Sequence, residues 1–174
     1  NIFTAGQGID LRCSASNFAV TGGTVNINLP GGTNFGINST VPFYNINVSR
    51  QSGTGNTTVT LLNTSSSDLT VLGNLVLNAN TLLNAGTNSV NLSCKGNFSI
   101  QSGATYTPGS TTLAFNGTSD QQFLNSGTIT TALNNLTIDK TSSVLTLGGT
   151  ATIYLVNGTV YRLSGTINDG GKTI

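Results

Sequence analysis

Apolar residues along this chain recur at every second position in short runs, and polar residues fill the positions between them. The runs cover residues 9–13, 25–29, 46–48, 59–61, 75–77, 90–94, 113–115, 136–138 and 145–147. A period of two is the mark of a strand with one face buried. Gly, Asn, Ser or Pro separates most of the runs, as turns require. No segment carries apolar residues at a sustained period of 3.6, and β-branched residues, Asn and Gly occur throughout, so no helix is predicted.

The pattern also repeats. Val90, Leu92 and Cys94, followed by Asn97, Phe98 and Ile100, answer Ile9, Leu11 and Cys13, followed by Asn17, Phe18 and Val20, at offsets of 81 and then 80. Residues 112–116 answer 24–28 at an offset of 88, and 135–138 answer 45–48 at 90. A small drift places the gained residues in outer turns. The expectation is one solenoid segment over 1–174 with internal copies at about 9–90 and 90–174.

Two all-β architectures fit such a chain. One is a right-handed parallel β-helix of about eight coils, each of about 20 residues. The other is a set of tandem antiparallel β-sandwich repeats, whose hairpins favour Asn-Gly turns. Asn-Gly occurs at Asn116-Gly117 and Asn157-Gly158, but only the first follows a clear strand. Frequent bends at near-regular spacing favour the β-helix. Its stacked inward ladder is predicted to include Leu11, Cys13, Phe18, Ile27, Val48, Leu61, Leu92, Cys94, Phe98, Phe115, Ile138 and Leu147. Near the end, Val160 and Arg162 share one phase and Tyr161 and Leu163 the other; the expectation is that Tyr161 and Leu163 face inward and Arg162 faces solvent.

Charge changes the picture more than length does. Charged residues make up 6% of the chain, with a net charge of +1 and neither His nor Glu. That balance cannot build the basic footprint needed for nucleic acid or an anionic membrane, and no apolar run approaches the ~20 residues of a membrane-spanning helix. A content of 36% hydrophobic residues in alternation argues against disorder. Polar but uncharged outer faces suit stacked coils, where like charges would repel and amides and hydroxyls bond along the stack. The chain contains no Met, and its closing Gly170-Gly171-Lys172-Thr173-Ile174 reads as a turn into a new strand, so a segment of a longer protein is expected.

Cys13 and Cys94 close the same strand pattern in the two copies. Equivalent positions four coils apart would be ~19 Å distant, beyond the ~7 Å that a disulfide spans. Two buried free thiols are expected, acting as small apolar residues. Neither has a His or second Cys nearby for metal binding.

Candidate chemistry is sparse. Without His or Glu, acid–base work would fall to Asp10, Asp68, Asp120, Asp139 and Asp169, which are scattered and read as solvated turn residues. Asp139-Lys140 reads as a surface charge pair at a strand end. Asn168-Asp169-Gly170-Gly171 comes nearest to a cation-binding turn and lacks a second acid. Nine Asn-x-Ser/Thr triplets follow from the abundance of those residues. No catalytic residue, metal or cofactor is expected. Thr-x-Thr does recur, at Thr105 and Thr107, Thr128 and Thr130, and Thr150 and Thr152, about one coil apart. Stacked outward, these threonines would form a flat double row that could take a glycan or ice.

One stretch carries a family resemblance. Gly96-Asn97-Phe98, the run Gly103-Ala104-Thr105-Tyr106-Thr107-Pro108-Gly109, Leu113-Ala114-Phe115-Asn116-Gly117-Thr118, Gln121-Gln122 and Asn134-Asn135-Leu136-Thr137-Ile138 follow one another in an order that resembles repeats of very large cell-surface proteins of Bacteroidota. The resemblance is good over 88–138 and fair over 24–48 and 145–174. It implies export by the type IX secretion system and an extracellular, adhesin-like or stalk-like role, sometimes linked to gliding motility. It brings no active-site residues. The partners it implies are further repeats of the same chain, stacked copies of it, or surface glycans.

Overall fold

A computed structural model describes residues 8–64, 66 and 68–174. Among them the chain forms strands β1 (Gly8–Leu11), β2 (Thr24–Leu29), β3 (Asn34–Ser39), β4 (Asn45–Arg50), β5 (Thr57–Leu61), β6 (Asp68–Val71), β7 (Leu75–Leu77) and β8 (Thr81–Asn84). It continues with β9 (Asn91–Cys94), β10 (Phe98–Ile100), β11 (Thr105–Thr107), β12 (Thr112–Phe115), β13 (Gln121–Asn125), β14 (Thr128–Ile129), β15 (Asn135–Gly148) and β16 (Val160–Asn168). A single 3-10 turn, Ala15–Asn17, is the only helical element among the described residues.

Every pairing between these strands is parallel. The first face holds β6, β9, β12 and the front of β15. The second holds β2, β4, β7, β10, β13 and the back of β15. The third is a six-stranded sheet in the order β1-β3-β5-β8-β11-β14. Strand β15 turns the corner between the first two faces, its front pairing β12 and its back pairing β13. A chain that visits three faces in rotation and always pairs in parallel is a β-solenoid. It makes about six turns, one for each strand of the six-stranded sheet, rather than eight. Fewer turns fit because several exceed 20 residues: Val48 is in register with Leu77, 29 residues on.

Registration sets the true repeat. Leu92, Leu113 and Leu136 lie one above another, as do Leu75, Phe98 and Phe123. The repeating unit is therefore one coil of about 21 to 29 residues. The offsets of 81, 88 and 90 do not relate equivalent places. β1 lies on the third face whereas β9 lies on the first, and β2 and β4 lie on the second whereas β12 and the front of β15 lie on the first. Strands on different faces share the same Asn-and-aliphatic alternation because each buries one side in the same core.

That core is a set of vertical stacks. Val71, Cys94, Phe115 and Ile138 form one; Ile46, Leu75, Phe98, Phe123 and Leu147 another; Phe35, Val59, Leu83 and Tyr106 a third. Phe98 and Phe123 lie parallel with ring centroids 5.4 Å apart, and Phe98 meets the edge of Tyr106 at 5.3 Å. Each fully buried side chain of this kind contributes roughly 1.5–3 kcal/mol before conformational entropy is subtracted.

Two members of the expected ladder lie elsewhere. Cys13 is exposed and Phe18 is 42% exposed. β1 ends at Leu11, so the alternation that would have turned Cys13 inward stops before it, and Phe18 follows the 3-10 turn outside any strand. Leu11 is partly buried against the core, while Ile27, Val48, Leu61, Leu92, Cys94, Phe98, Phe115, Ile138 and Leu147 are buried. The expected phase of β16 is also reversed. Tyr161 is in register with outward Thr137, and Arg162 with inward Ile138. Tyr161 and Leu163 are exposed rather than inward, while Arg162 is exposed as expected, its guanidinium donating to Gly165 O at 2.8 Å.

Candidate functional site

The threonine rows lie on the outside of the six-stranded sheet. Tyr106 points into the core, which turns Thr105 and Thr107 outward, and Thr105 is in register with Thr128. The Thr130 hydroxyl lies 3.1 Å from that of Thr107. These four form a square patch of hydroxyls.

The patch does not extend as the sequence spacing predicted. Toward the start of the chain, Leu82 and Asn84 take the positions below Thr105 and Thr107, and Thr58 and Thr60 lie below those. Thr58 and Thr60 were missed because two coils separate them from Thr105. Toward the other end, Thr150 and Thr152 do not join. Thr150 N–H donates to Ser126 Oγ at 3.3 Å, in the turn before the sheet, and Thr152 offers its carbonyl to Thr173 N–H at 3.0 Å. The segment that follows β14 around the solenoid is 153–155, where Tyr154 points inward and Ile153 and Leu155 outward. The hydroxyl rows therefore run into two exposed aliphatic side chains, and a continuous threonine lattice is absent from this face.

Hydrogen-bonded ladders join one coil to the next. At the corner before the second face, Asn45 Oδ1 accepts from Asn74 N–H at 2.7 Å, Asn74 Oδ1 from Asn97 N–H at 3.0 Å, and Asn97 Oδ1 from Gln122 N–H at 2.8 Å. The glycines before Asn74 and Asn97 belong to the same corner. A Cβ on Gly96 would lie 2.3 Å from Gly73 O, so this close stacking requires glycine.

A polar cluster fills the same corner farther along the stack, and it corrects the reading of Asp139-Lys140. Lys140 is fully buried, its ammonium donating to Ser119 O at 2.7 Å, Gly117 O at 3.1 Å and Gln121 Oε1 at 2.7 Å. Gln121 is itself buried. Its Oε1 also accepts from Gly117 N–H at 2.9 Å, and its amide nitrogen donates to Cys94 O and Gly96 O. Asp139 faces the other way and accepts from Ser164 Oγ at 2.7 Å. Burial holds the Lys140 amine below its ordinary range, and the charge of Asp120 partly opposes the shift. Three acceptors for three ammonium protons describe a structural plug rather than a reactive amine.

Remaining candidates are solvated or self-satisfied. Asp10 pairs with Arg12 at 2.7 Å on the surface, which draws its carboxyl below the ordinary value. In the 168–171 turn, Asn168 Oδ1 accepts from Gly170 N–H and Asp169 Oδ1 from Gly171 N–H, so both oxygens serve their own turn. Among the described residues no three His, Cys, Asp or Glu side chains converge as a metal site. Among the described residues no helix is long and apolar enough to cross a membrane.

Fold and surface together define an all-β protein of the parallel β-solenoid class. No family model, curated protein or solved structure matches the chain.

Proposed function

We propose that this chain is a structural and adhesive segment of a secreted bacterial surface protein or extracellular fibre, a rigid spacer whose work is mechanical rather than catalytic. The observation that carries this reading is the continuous stack of parallel coils around one aromatic and aliphatic core. Each coil is fixed to the next by backbone ladders and by asparagine side chains. Such a rod resists bending because its coils are joined by parallel strand ladders on three faces. Its scarcity of charge lets like faces stack without repulsion. The resemblance of residues 88–138 to Bacteroidota surface repeats supports placing it outside the cell, with further coils of its own chain, copies of itself or surface glycans as partners.

The test is immunogold labelling of intact source cells with antibody raised against the purified chain, read with negative-stain images of the released material. Label along extended surface fibres is the expected result. Label confined to the cell interior, or turnover of a polysaccharide by the purified chain, overturns the reading.

A further inference from the structure

The six-stranded sheet opens beyond β14. Two hydrogen bonds hold the neighbouring coils together on either side of the opening: Ala151 N–H to Asn125 O at 2.9 Å, and Leu133 N–H to Leu155 O at 2.8 Å. Between them no backbone bond joins 127–131 to 152–154. Instead Tyr154 N–H donates to Thr173 O at 2.7 Å and Thr173 N–H to Thr152 O at 3.0 Å, committing that segment to the following coil. Tyr154 is anchored in place: its hydroxyl contacts Asn125 N–H, Phe123 O and Gly148 O, and its ring packs 5.1 Å from that of Phe123.

The opening is a slot of about 190 Å³ whose walls include Asn125, Ile129, Thr130, Thr131, Ile153 and Leu155. Successive residues of a strand direct their N–H and C=O groups to opposite sides. Thr128 and Thr130 donate to Ala104 O and Tyr106 O on the β11 side, so the polar backbone groups of Ile129 face the slot. By the same alternation, the bonds of Thr152 and Tyr154 to Thr173 leave those of Ile153 facing it from the opposite wall. Asn125 is only 5% exposed; its Oδ1 accepts from Gly127 N–H at 3.2 Å, and its amide nitrogen donates to no described protein group. Polar groups that line an open slot without protein partners are free to bond water or a ligand's hydroxyls.

We propose that this slot binds one uncharged pyranose ring of a glycan. No charged side chain lines it, which disfavours phosphate, carboxylate and ammonium groups. It presents backbone donors and acceptors and threonine hydroxyls for a sugar's hydroxyl edge, with Ile129, Ile153 and Leu155 for its C–H face. Its volume falls below the roughly 300 Å³ at which pockets for drug-sized ligands begin, which matches a single ring. The proposal rests on the adhesive reading above and gives it a site.

Saturation-transfer NMR on the whole chain, with the methyl glycosides of glucose, galactose, mannose, N-acetylglucosamine and fucose as probes, tests it. At least one glycoside is expected to bind with millimolar affinity and to perturb the methyl signals of Ile129, Ile153 and Leu155. Leu155→Ala, at an exposed position, and Thr131→Trp, which blocks the mouth, should each weaken that binding about tenfold with the fold retained by circular dichroism. Binding of none of the five, perturbation elsewhere, or binding unchanged in both variants overturns the proposal. Surface rods that bind no glycoside sink the slot alone, whereas glycoside binding by a chain found only inside cells sinks the adhesive reading alone.

Discussion

The amine of Lys140 lies 2.7 Å from the side-chain oxygen of Gln121, both residues almost wholly out of solvent. One cation thereby ties the end of β12's turn, the start of β13 and the bend of β15 into one corner. Lys140→Met keeps the length of the side chain and removes the donors, leaving Gly117 O, Ser119 O and Gln121 Oε1 without them. Hydrogen bonds from a charged donor and the desolvation of orphaned acceptors set the cost at roughly 2–4 kcal/mol. Gln121→Leu should also destabilise, and the double variant should fall short of the sum of the singles, because the two residues share a bond. Urea unfolding of the four proteins measures this; strict additivity would show that the two side chains act independently.

The asparagine ladder predicts a substitution pattern that depends on one atom. Asn97 Oδ1 accepts the Gln122 N–H at 2.8 Å, so Asn97→Ala loses an acceptor and should cost about 1 kcal/mol. Asn97→Asp keeps the acceptor and should cost less. Hydrogen exchange at the Gln122 amide, faster in the alanine variant and near parental in the aspartate one, locates the effect in that bond.

The two cysteines should behave differently. Native protein is expected to react with Ellman's reagent at Cys13 alone, which is exposed, and at both thiols once unfolded. Burial pushes the Cys94 thiol from 9.0 up to about 12. A raised folded-state value means that Cys94 favours the folded state fully below pH 9 and loses that contribution as pH climbs through about 12, because the unfolded chain ionises first. Stability of the parent should therefore fall more steeply than that of Cys94→Ala across that window, by up to about 1.4 kcal/mol per pH unit. Parallel pH profiles for the two proteins would mean that Cys94 is not buried as described.

Strand class and the inward phase of β2, β4, β5, β9, β12 and the front of β15 are legible in the sequence, because each buries one face and alternates accordingly. The Gly-Asn pair before Leu75 and again before Phe98 marks the same corner one coil apart, and is the true repeat signal. A longer offset masked it, since strands on all three faces follow the same binary pattern. Short strands such as β14, two residues long, carry too few positions for a pattern to show. Lys140 was not legible, since its partners, the main-chain carbonyls of Gly117 and Ser119 and the side-chain oxygen of Gln121, lie one coil back and nothing in the local sequence marks them. The slot beyond β14 was equally hidden: it arises from a pairing that fails to form, and Thr150 and Thr152 mimic the spacing of a strand that in fact lies at 153–155.

Phe98, Phe115, Phe123 and Tyr154 form an aromatic cluster in the core. Phe123 touches the other three, with ring centroids at 5.4, 5.4 and 5.1 Å. Its removal empties the centre of the stack, and the surrounding coils cannot collapse into the space because each is held in register by bonds to the coils on either side. Phe123→Ala should cost roughly 3–5 kcal/mol, against a smaller loss for Phe123→Leu, which refills most of the volume. Tyr154 reports the local consequence, since its hydroxyl donates to Phe123 O and accepts from Asn125 N–H. A loosened Phe123 should therefore speed hydrogen exchange at the Asn125 amide before the rest of the rod. Uniform exchange along the chain in Phe123→Ala would mean that the coils unfold as one unit and that no local weakness exists at this position.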